Sequence, residues 1–354
     1  MKRFTAAALV LMTLLTIGCN VKEPQNTPTA TPTDTVQTTT PSPDIEPTEE
    51  PTPTIEPTPN YEVYHVKAHN LNVRSKPDAS DNTNIIGELH AYDEVCVTGM
   101  EGEFARMLLT SGEEAYCASK YLVPIDEKIY AYIAPFEDQK IDIKTGEPVF
   151  DPEGNPVMVK CELVDLRYLL PDAEFELLFA TERNVTGSPL YPYAIPMIQK
   201  DTGKKLVKAF EKFREDGYTM KFYDAYRPLS VQRVLYDIVQ VPKWIADPST
   251  TASNHNRGCA VDMSLIGPDG VELEFPTPMH TFAEESGRES TAWTEAQRAN
   301  VDYMTDIMLN SGFDLIKGEW WHFADKVRKE FMTMDIPFTR FTLCTESELK
   351  ELLG

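Results

Sequence analysis

The chain has 354 residues, with 56 Asp and Glu against 33 Lys and Arg, for a formal net charge of -23. That length exceeds one compact domain and predicts two. The acidity argues against a nucleic-acid partner, which needs clustered Lys and Arg on phosphates, and against charge-driven binding to anionic lipid.

In chain order, Lys2 and Arg3 precede an apolar stretch from Ala6 to Ile17. The stretch is too short to span a bilayer and predicts a secretory signal. It ends in Leu15-Thr16-Ile17-Gly18-Cys19, which resembles a bacterial lipobox, with Thr16 where Leu is usual. The resemblance implies that Cys19 is lipidated, becomes the mature N-terminus and anchors an extracytoplasmic protein to the bacterial membrane. More than one acyl chain is the condition for stable anchoring. The alternative is an ordinary signal peptide cut nearby. Residues 20–60 are dominated by Pro and Thr without apolar periodicity, so they predict an extended linker. As polyproline it would reach roughly 120 Å.

Residues 61–125 hold short β-rich runs at Val63–Val66, Glu94–Val97, Ala105–Leu109 and Ala115–Cys117, with turn-rich Lys76-Pro77-Asp78 between them. Strands this short predict a small barrel. Leu71-Asn72-Val73-Arg74-Ser75-Lys76-Pro77, Ile86-Gly87 and Tyr121-Leu122 together resemble a bacterial SH3-like domain. That resemblance leaves two roles open, a cell-wall ligand site and a plain spacer. Apart from Cys19 there are Cys96, Cys117, Cys161, Cys259 and Cys344, an odd number with no CxxC. This is neither a disulfide framework nor a cysteine zinc site. Buried free thiols are expected, with a Cys96–Cys117 bridge as the alternative.

Residues 126–354 predict an α+β domain. Helical periodicity follows Asp201 (Leu206, Phe210, Phe213), runs from Leu229 to Val239 (Val231, Val234, Leu235, Ile238), and starts again at Thr294 as N-cap, stopping near Gly312. Strand-like pieces lie at Met220–Tyr223, Ala260–Leu265 and Phe313–Ile316.

Chemistry concentrates in two motifs of this domain. In Ser253-Asn254-His255-Asn256-Arg257-Gly258-Cys259-Ala260-Val261-Asp262, an apolar strand carries the carboxylate of Asp262. Burying it is costly unless it is paired or holds a metal. The second motif is Glu319-Trp320-Trp321-His322. Two imidazoles and a carboxylate suit catalytic zinc, which takes three protein ligands and keeps a place for water. A further carboxylate, Glu319, could accept that water's proton. Either motif alone is equally compatible with a structural pair, and the His-Glu-x-x-His helix of other zinc peptidases is absent. His280, the domain's remaining histidine, has no motif partner and is not expected to be a ligand.

Ser-x-His-x-x-Gly-x-Ala-x-Asp followed by Glu-Trp-Trp-His, with Tyr226-Arg227-Pro228, Val164-Asp165-Leu166-Arg167-Tyr168 and Asn184-Val185-Thr186-Gly187, resembles the zinc D-alanyl-D-alanine dipeptidases and D,D-carboxypeptidases. The resemblance covers residues from about 160 to 335. It implies one zinc on His255, Asp262 and His322, and Glu319 as base. It also implies Arg227 on the oxyanion, Asp224 orienting the site, and Ser253 beside the substrate carboxylate. Trp320 and Trp321 are expected as walls or core. Where the dipeptidases commonly show Asp-Met-Gly, with the Asp on the substrate's free amine, this chain has Pro278-Met279-His280. Glu284 or Glu285 could substitute.

The expected function is zinc-dependent hydrolysis of D-Ala-D-Ala or of peptides ending in it, in cell-wall peptide metabolism. Partners are then D-amino-acid peptides or peptidoglycan stem fragments. Alternatives are a carboxypeptidase trimming stems and, in a different class, a catalytically idle wall- or peptide-binding lipoprotein. Retention of Glu319 with all three ligands speaks against the last. For the anchor, Cys19→Ala is expected to release the protein from the membrane fraction or block its processing. A substituted protein that still sediments with salt-washed membranes would place the anchor elsewhere.

Overall fold

The computed structural model describes residues 61–241 and 243–354. Cys19, the signal and the Pro/Thr linker lie outside the described residues. The described chain forms two compact units, one of residues 61–66 and Asn70–Ile125, the other of Lys67–His69 and Asp126–Gly354.

The first unit is all β. Its strands are β1 (Glu62–Val66), β2 (Asn70–Arg74), β3 (Ile85–His90), β4 (Glu94–Glu101), β5 (Phe104–Leu108), β6 (Glu114–Ala118) and β7 (Leu122–Pro124). They form one antiparallel sheet in the order β3-β2-β6-β5-β4-β1-β7. Inward positions such as Val73, Val95, Val97, Ala105, Met107 and Cys117 are buried, as period-2 alternation over one core requires. Arg74 is buried and donates to the Asn84 side chain and the carbonyls of Asp78 and Asp81, pinning the β2–β3 turn.

The second unit opens with β8 (Ile129–Tyr132), β9 (Phe136–Gln139), β10 (Met158–Cys161), β11 (Leu163–Asp165) and α1 (Leu166–Leu169). It continues through β12 (Glu174–Phe175), β13 (Met197–Gln199), α2 (Lys200–Glu215), β14 (Thr219–Asp224), α3 (Leu229–Val239) and β15 (Ala260–Ile266). Last come α4 (Glu295–Asn310), β16 (Phe313–Ile316), β17 (Glu319–Asp325), β18 (Thr342–Thr345) and α5 (Glu346–Leu353). This is a mixed α+β unit around a five-stranded sheet ordered β12-β14-β15-β17-β16, with only the β12–β14 pair parallel.

One face of that sheet meets α2 and α4. Leu206, Phe210 and Phe213 of α2 and Met304 and Met308 of α4 close over Phe222, Val261, Met263 and Phe323 in a single core. The ends of α4 follow from its sequence. Thr294 forms a capping box with Gln297, satisfying two otherwise orphaned amides, and Gly312 at φ +100° follows its last turn.

Helix α3 departs from its expected apolar face. Leu229, Gln232 and Leu235 are the buried residues, while Val234 and Ile238 are 46% and 53% exposed. The hydrogen bonds of Gln232 explain the rotation, as described below. The cysteines follow the free-thiol expectation at Cys117, Cys161, Cys259 and Cys344, so the Cys96–Cys117 bridge is not formed. Burial pushes Cys117, Cys161 and Cys259 up to about 12, which leaves them protonated and inert.

Candidate metal centre

The site lies on the central strands of the five-stranded sheet, where cross-strand register brings its acids and imidazoles together. Asp224 of β14 pairs with Asp262 of β15, and Asp262 pairs with His322 of β17. Val261 and Met263, flanking Asp262, point into the core, so Asp262 must project from the opposite face. Two irregularities adjust the other strands to it. Between Phe222 and Asp224 strand β14 advances two residues while β15 advances one, so Phe222 enters the core and Asp224 reaches the site. In β17, Glu319 pairs with Ile316 and Phe323 with the adjacent Leu315. The extra length between them lets Glu319 and His322, three residues apart, both line one cavity.

His255 arrives from a short 3-10 turn, His255–Arg257, that ends at Gly258. Gly258 has φ +65°, and a Cβ there would stand 2.9 Å from Leu163 Cδ2, so both conformation and space call for glycine. Arg227 N donates to the His255 carbonyl at 3.1 Å, and Asn256 Nδ2 donates to the Arg227 carbonyl at 2.8 Å. The Tyr-Arg-Pro and Ser-x-His motifs are thereby fastened to each other.

His255, Asp262 and His322 are all buried, and each offers one ligand atom within 4.8 Å of the others. Asp262 Oδ1 stands 3.3 Å from His255 Nε2 and 3.0 Å from His322 Nδ1, and the two ring nitrogens are 3.1 Å apart. His255 Nδ1 donates to the Ala225 carbonyl at 2.7 Å, which leaves the lone pair of Nε2 facing the cluster. The donor set and this fixed tautomer fit a zinc ion. Burial and opposite charges compete here. At His255 burial opposes the charge, but Asp262 and Asp224 outweigh it and raise the pKa. At His322 burial prevails and lowers it. Burial also opposes the charge of Asp262, yet His255 and hydrogen bonds from the surrounding imidazoles hold its carboxyl well below the usual range.

Glu319 is buried, with Oε2 at 3.8 Å from His322 Nδ1. Burial and then the charge of Asp262 push its pKa up to about 8. Arg227 is also buried. Its Nε and Nη2 donate to Asp224 Oδ2 at 3.0 and 2.5 Å, and its Nη1 donates to Gln232 Oε1 at 2.7 Å. Tyr191 Oη donates to Asp224 Oδ1 at 2.7 Å. Ser253 lines the cavity, and its Oγ accepts from His255 N at 3.3 Å. Trp321 lines the cavity, and Trp320 and Trp321 both belong to the core.

Several residues of this site carry no motif. Gln232 holds Arg227 through Oε1 and donates from Nε2 to the Ala246 carbonyl at 2.8 Å, tying the guanidinium to a wall of the cavity. Arg288 grips the irregular start of β17, donating to the carbonyls of Glu319 at 3.1 Å and Trp320 at 2.7 Å. His280 Nε2 stands 3.0 Å from Asp262 Oδ2. A polar residue on the buried stripe of α3 was the one available signal for Gln232. Glu284 and Glu285 are both exposed, Glu284 is paired with Lys243, and neither lines the cavity. Their loop turns outward there and sends in His280 instead. Two other motifs are structural. Asp165 caps α1, binds Arg167 and accepts from Ala131 N, and the Asn184 side chain braces its own loop at Thr181 and Ser188.

Among the described residues, one buried candidate metal cluster beside an acid and a fixed guanidinium is the arrangement of a mononuclear metallohydrolase. The D-ala-D-ala dipeptidase family, Peptidase M15, matches residues 159–341, and the chain belongs to that family. It is 35% identical over 162 residues to a D-alanyl-D-alanine dipeptidase of Escherichia coli (strain K12), covering 46% of this chain and 83% of that protein. A D-alanyl-D-alanine dipeptidase of Enterococcus faecium is 28% identical over 172 residues, covering 41% of this chain and 82% of that one. The solved structure of the LdcB LD-carboxypeptidase overlaps at 21% identity and a TM-score of 0.29, covering 47% of this chain and 70% of that chain.

Protein purified without added metal is expected to carry one zinc per chain by elemental analysis. His255→Ala and His322→Ala should each lose it. Full metal retention by both variants would refute these ligands.

Proposed function

We propose that the protein is a zinc-dependent peptidase acting outside the cytoplasmic membrane on peptides that end in D-Ala-D-Ala. The observation that carries this reading is the convergence of His255, Asp262 and His322 beside Glu319 in a cavity also lined by Arg227. Zinc held there would polarise the scissile carbonyl and lower the pKa of water. In its ionised form, which a cation held beside it would favour, Glu319 accepts the nucleophile's proton and returns it to the leaving amine. Arg227 stabilises the negative charge that develops on the carbonyl oxygen. Three of the guanidinium's five N–H groups are taken by Asp224 and Gln232. These bonds, with Tyr191 beside them, hold the guanidinium toward that oxygen in an orientation fixed beforehand. Asp224 holds Arg227, and Ser253, which lines the cavity, takes the role of binding the substrate's terminal carboxylate. The lipid anchor on Cys19 would keep the enzyme among wall peptides, with the N-terminal all-β unit, read as SH3-like, as spacer or wall-binding element.

Substrate length follows from the acids of the cavity. Among the described residues that line it, Asp262 and Glu319 are the acidic ones. Neither is spare, so no further lining carboxylate grips a free substrate amine. Where such a grip exists, a longer peptide leaves it unpaired and is rejected. Without it, the penalty on longer acyl-side chains falls, and the enzyme also removes the terminal D-Ala from stem peptides.

Purified protein, with and without a chelator, tests both statements on free D-Ala-D-Ala and on a pentapeptide ending in D-Ala-D-Ala. Both should be cleaved, with chelator-sensitive rates. A preference for the dipeptide in kcat/KM beyond about a thousandfold, some 4 kcal/mol, would overturn the length argument. Glu319→Gln should keep zinc and fold while kcat falls by about two to four orders of magnitude. A near-normal kcat would require a different base.

A further inference from the structure

His280 is used by nothing in the scheme above, yet it is 5% exposed, lines the cavity and touches a metal ligand. Its backbone has φ +57°, a left-handed conformation that is uncommon for residues other than glycine. Such a conformation persists only where its surroundings impose it. Here the imidazole is stacked on Phe179 at 4.8 Å between centroids and 19° between planes. Phe282 lies on a nearly parallel plane at 6.2 Å. The loop around it is held by Thr277 and Ser286, hydrogen-bonded to each other at 2.9 Å, and by Trp320 Nε1, which donates to Thr277 Oγ1 at 3.0 Å.

The two oxygens of Asp262 have different neighbours. Oδ1 faces His255 and His322, whereas Oδ2 accepts from His280 Nε2 at 3.0 Å. His280 is not among the residues whose ligand atoms converge, so it adds no fourth donor to the cluster. Its Nδ1 is buried without a hydrogen-bond partner among the described residues. An ionised carboxylate can only accept, so Nε2 carries the proton. The ring is thus oriented by stacking on one side and by one hydrogen bond on the other.

We propose that His280 is a positioning residue of the metal centre, holding Asp262 Oδ2 away from the ion so that Asp262 binds through Oδ1 alone. This rests on zinc being held by His255, Asp262 and His322. A free carboxylate would swing between one-oxygen and two-oxygen binding, and the second mode would crowd the place that the nucleophile needs. Partners of this kind typically contribute 10- to 100-fold in metal affinity.

The test is zinc affinity, measured on the full chain by competition with a chromogenic chelator. His280→Phe keeps an aromatic ring in the stack and removes the donor, and zinc binding should weaken by about 10- to 100-fold. His280→Gln places an amide N–H near the Nε2 position and should bind within about threefold of the parent, a small fraction of that loss. Because His280→Phe also strips a hydrogen bond from a buried carboxylate, its metal-free melting should fall somewhat; a merely structural role would lower melting and leave zinc affinity at the parent value. If Phe is not accommodated, His280→Leu, smaller and also without a donor, gives the same reading. Equal affinity in the parent and the donor-free variants overturns the proposal. So does a Gln variant as weak as Phe with unchanged metal-free melting. A parent that binds no zinc overturns the zinc reading itself, and this proposal with it.

Discussion

One carboxylate organises the catalytic unit. Asp262 stands in the middle of a strand whose neighbours Val261 and Met263 are wholly buried, and it is itself 3% exposed. An isolated ionised carboxylate in such a place costs far more than a folded domain can offset. The surrounding structure answers that cost on both oxygens. Two imidazoles face one, a third holds the other, and their combined field keeps the group ionised. A pair of neutral imidazoles and one anion is also what a divalent cation seeks. The feature that makes Asp262 tolerable in the fold thus makes the site able to bind metal.

The sheet can be read as the device that brings these groups into one place. A regular antiparallel sheet would let every second residue of each strand face the site and would send Asp224 and Glu319 to the wrong side or the wrong height. The extra residue in β14 and the longer excursion in β17 correct that. Arg288 clamps the excursion through the carbonyls of Glu319 and Trp320, and burial lowers its pKa to about 10. Beneath, the Leu, Phe and Met contacts of α2 and α4 hold the opposite face rigid. A close-packed core transmits little slack, so the distances among the acids and imidazoles are set by the backbone.

Around the candidate metal ligands runs a layer of polar residues that bind one another. Tyr191 holds Asp224, Asp224 holds Arg227, and Gln232 joins Arg227 to the carbonyl of Ala246. Phe179 lies under both Arg227 and His280. The guanidinium and the imidazole therefore share a floor, and neither is free to turn. Such restraint is what oxyanion stabilisation and metal binding both require, because groups oriented in advance lose nothing by reorganising during the reaction.

The sequence by itself determined the family, the three residues of the candidate metal cluster and most elements of the large unit. The signals were dense and local: two motifs with donors at fixed spacing, a capping Thr294, and strands at Ala260 and Phe313 marked by apolar runs. It could not determine which residues outside those motifs complete the site. Gln232 looked like one polar residue on an amphipathic helix, and only the rotation of α3, set by its bonds to Arg227 and Ala246, buries it. His280 looked like an unpartnered histidine, because its partner Asp262 lies 18 residues away across a loop. Glu284 and Glu285 looked like candidate grips, because nothing local records that their loop faces solvent. Motif chemistry is written in neighbouring residues. The support of that chemistry is a matter of contacts between distant segments, and those exist only once the chain has folded.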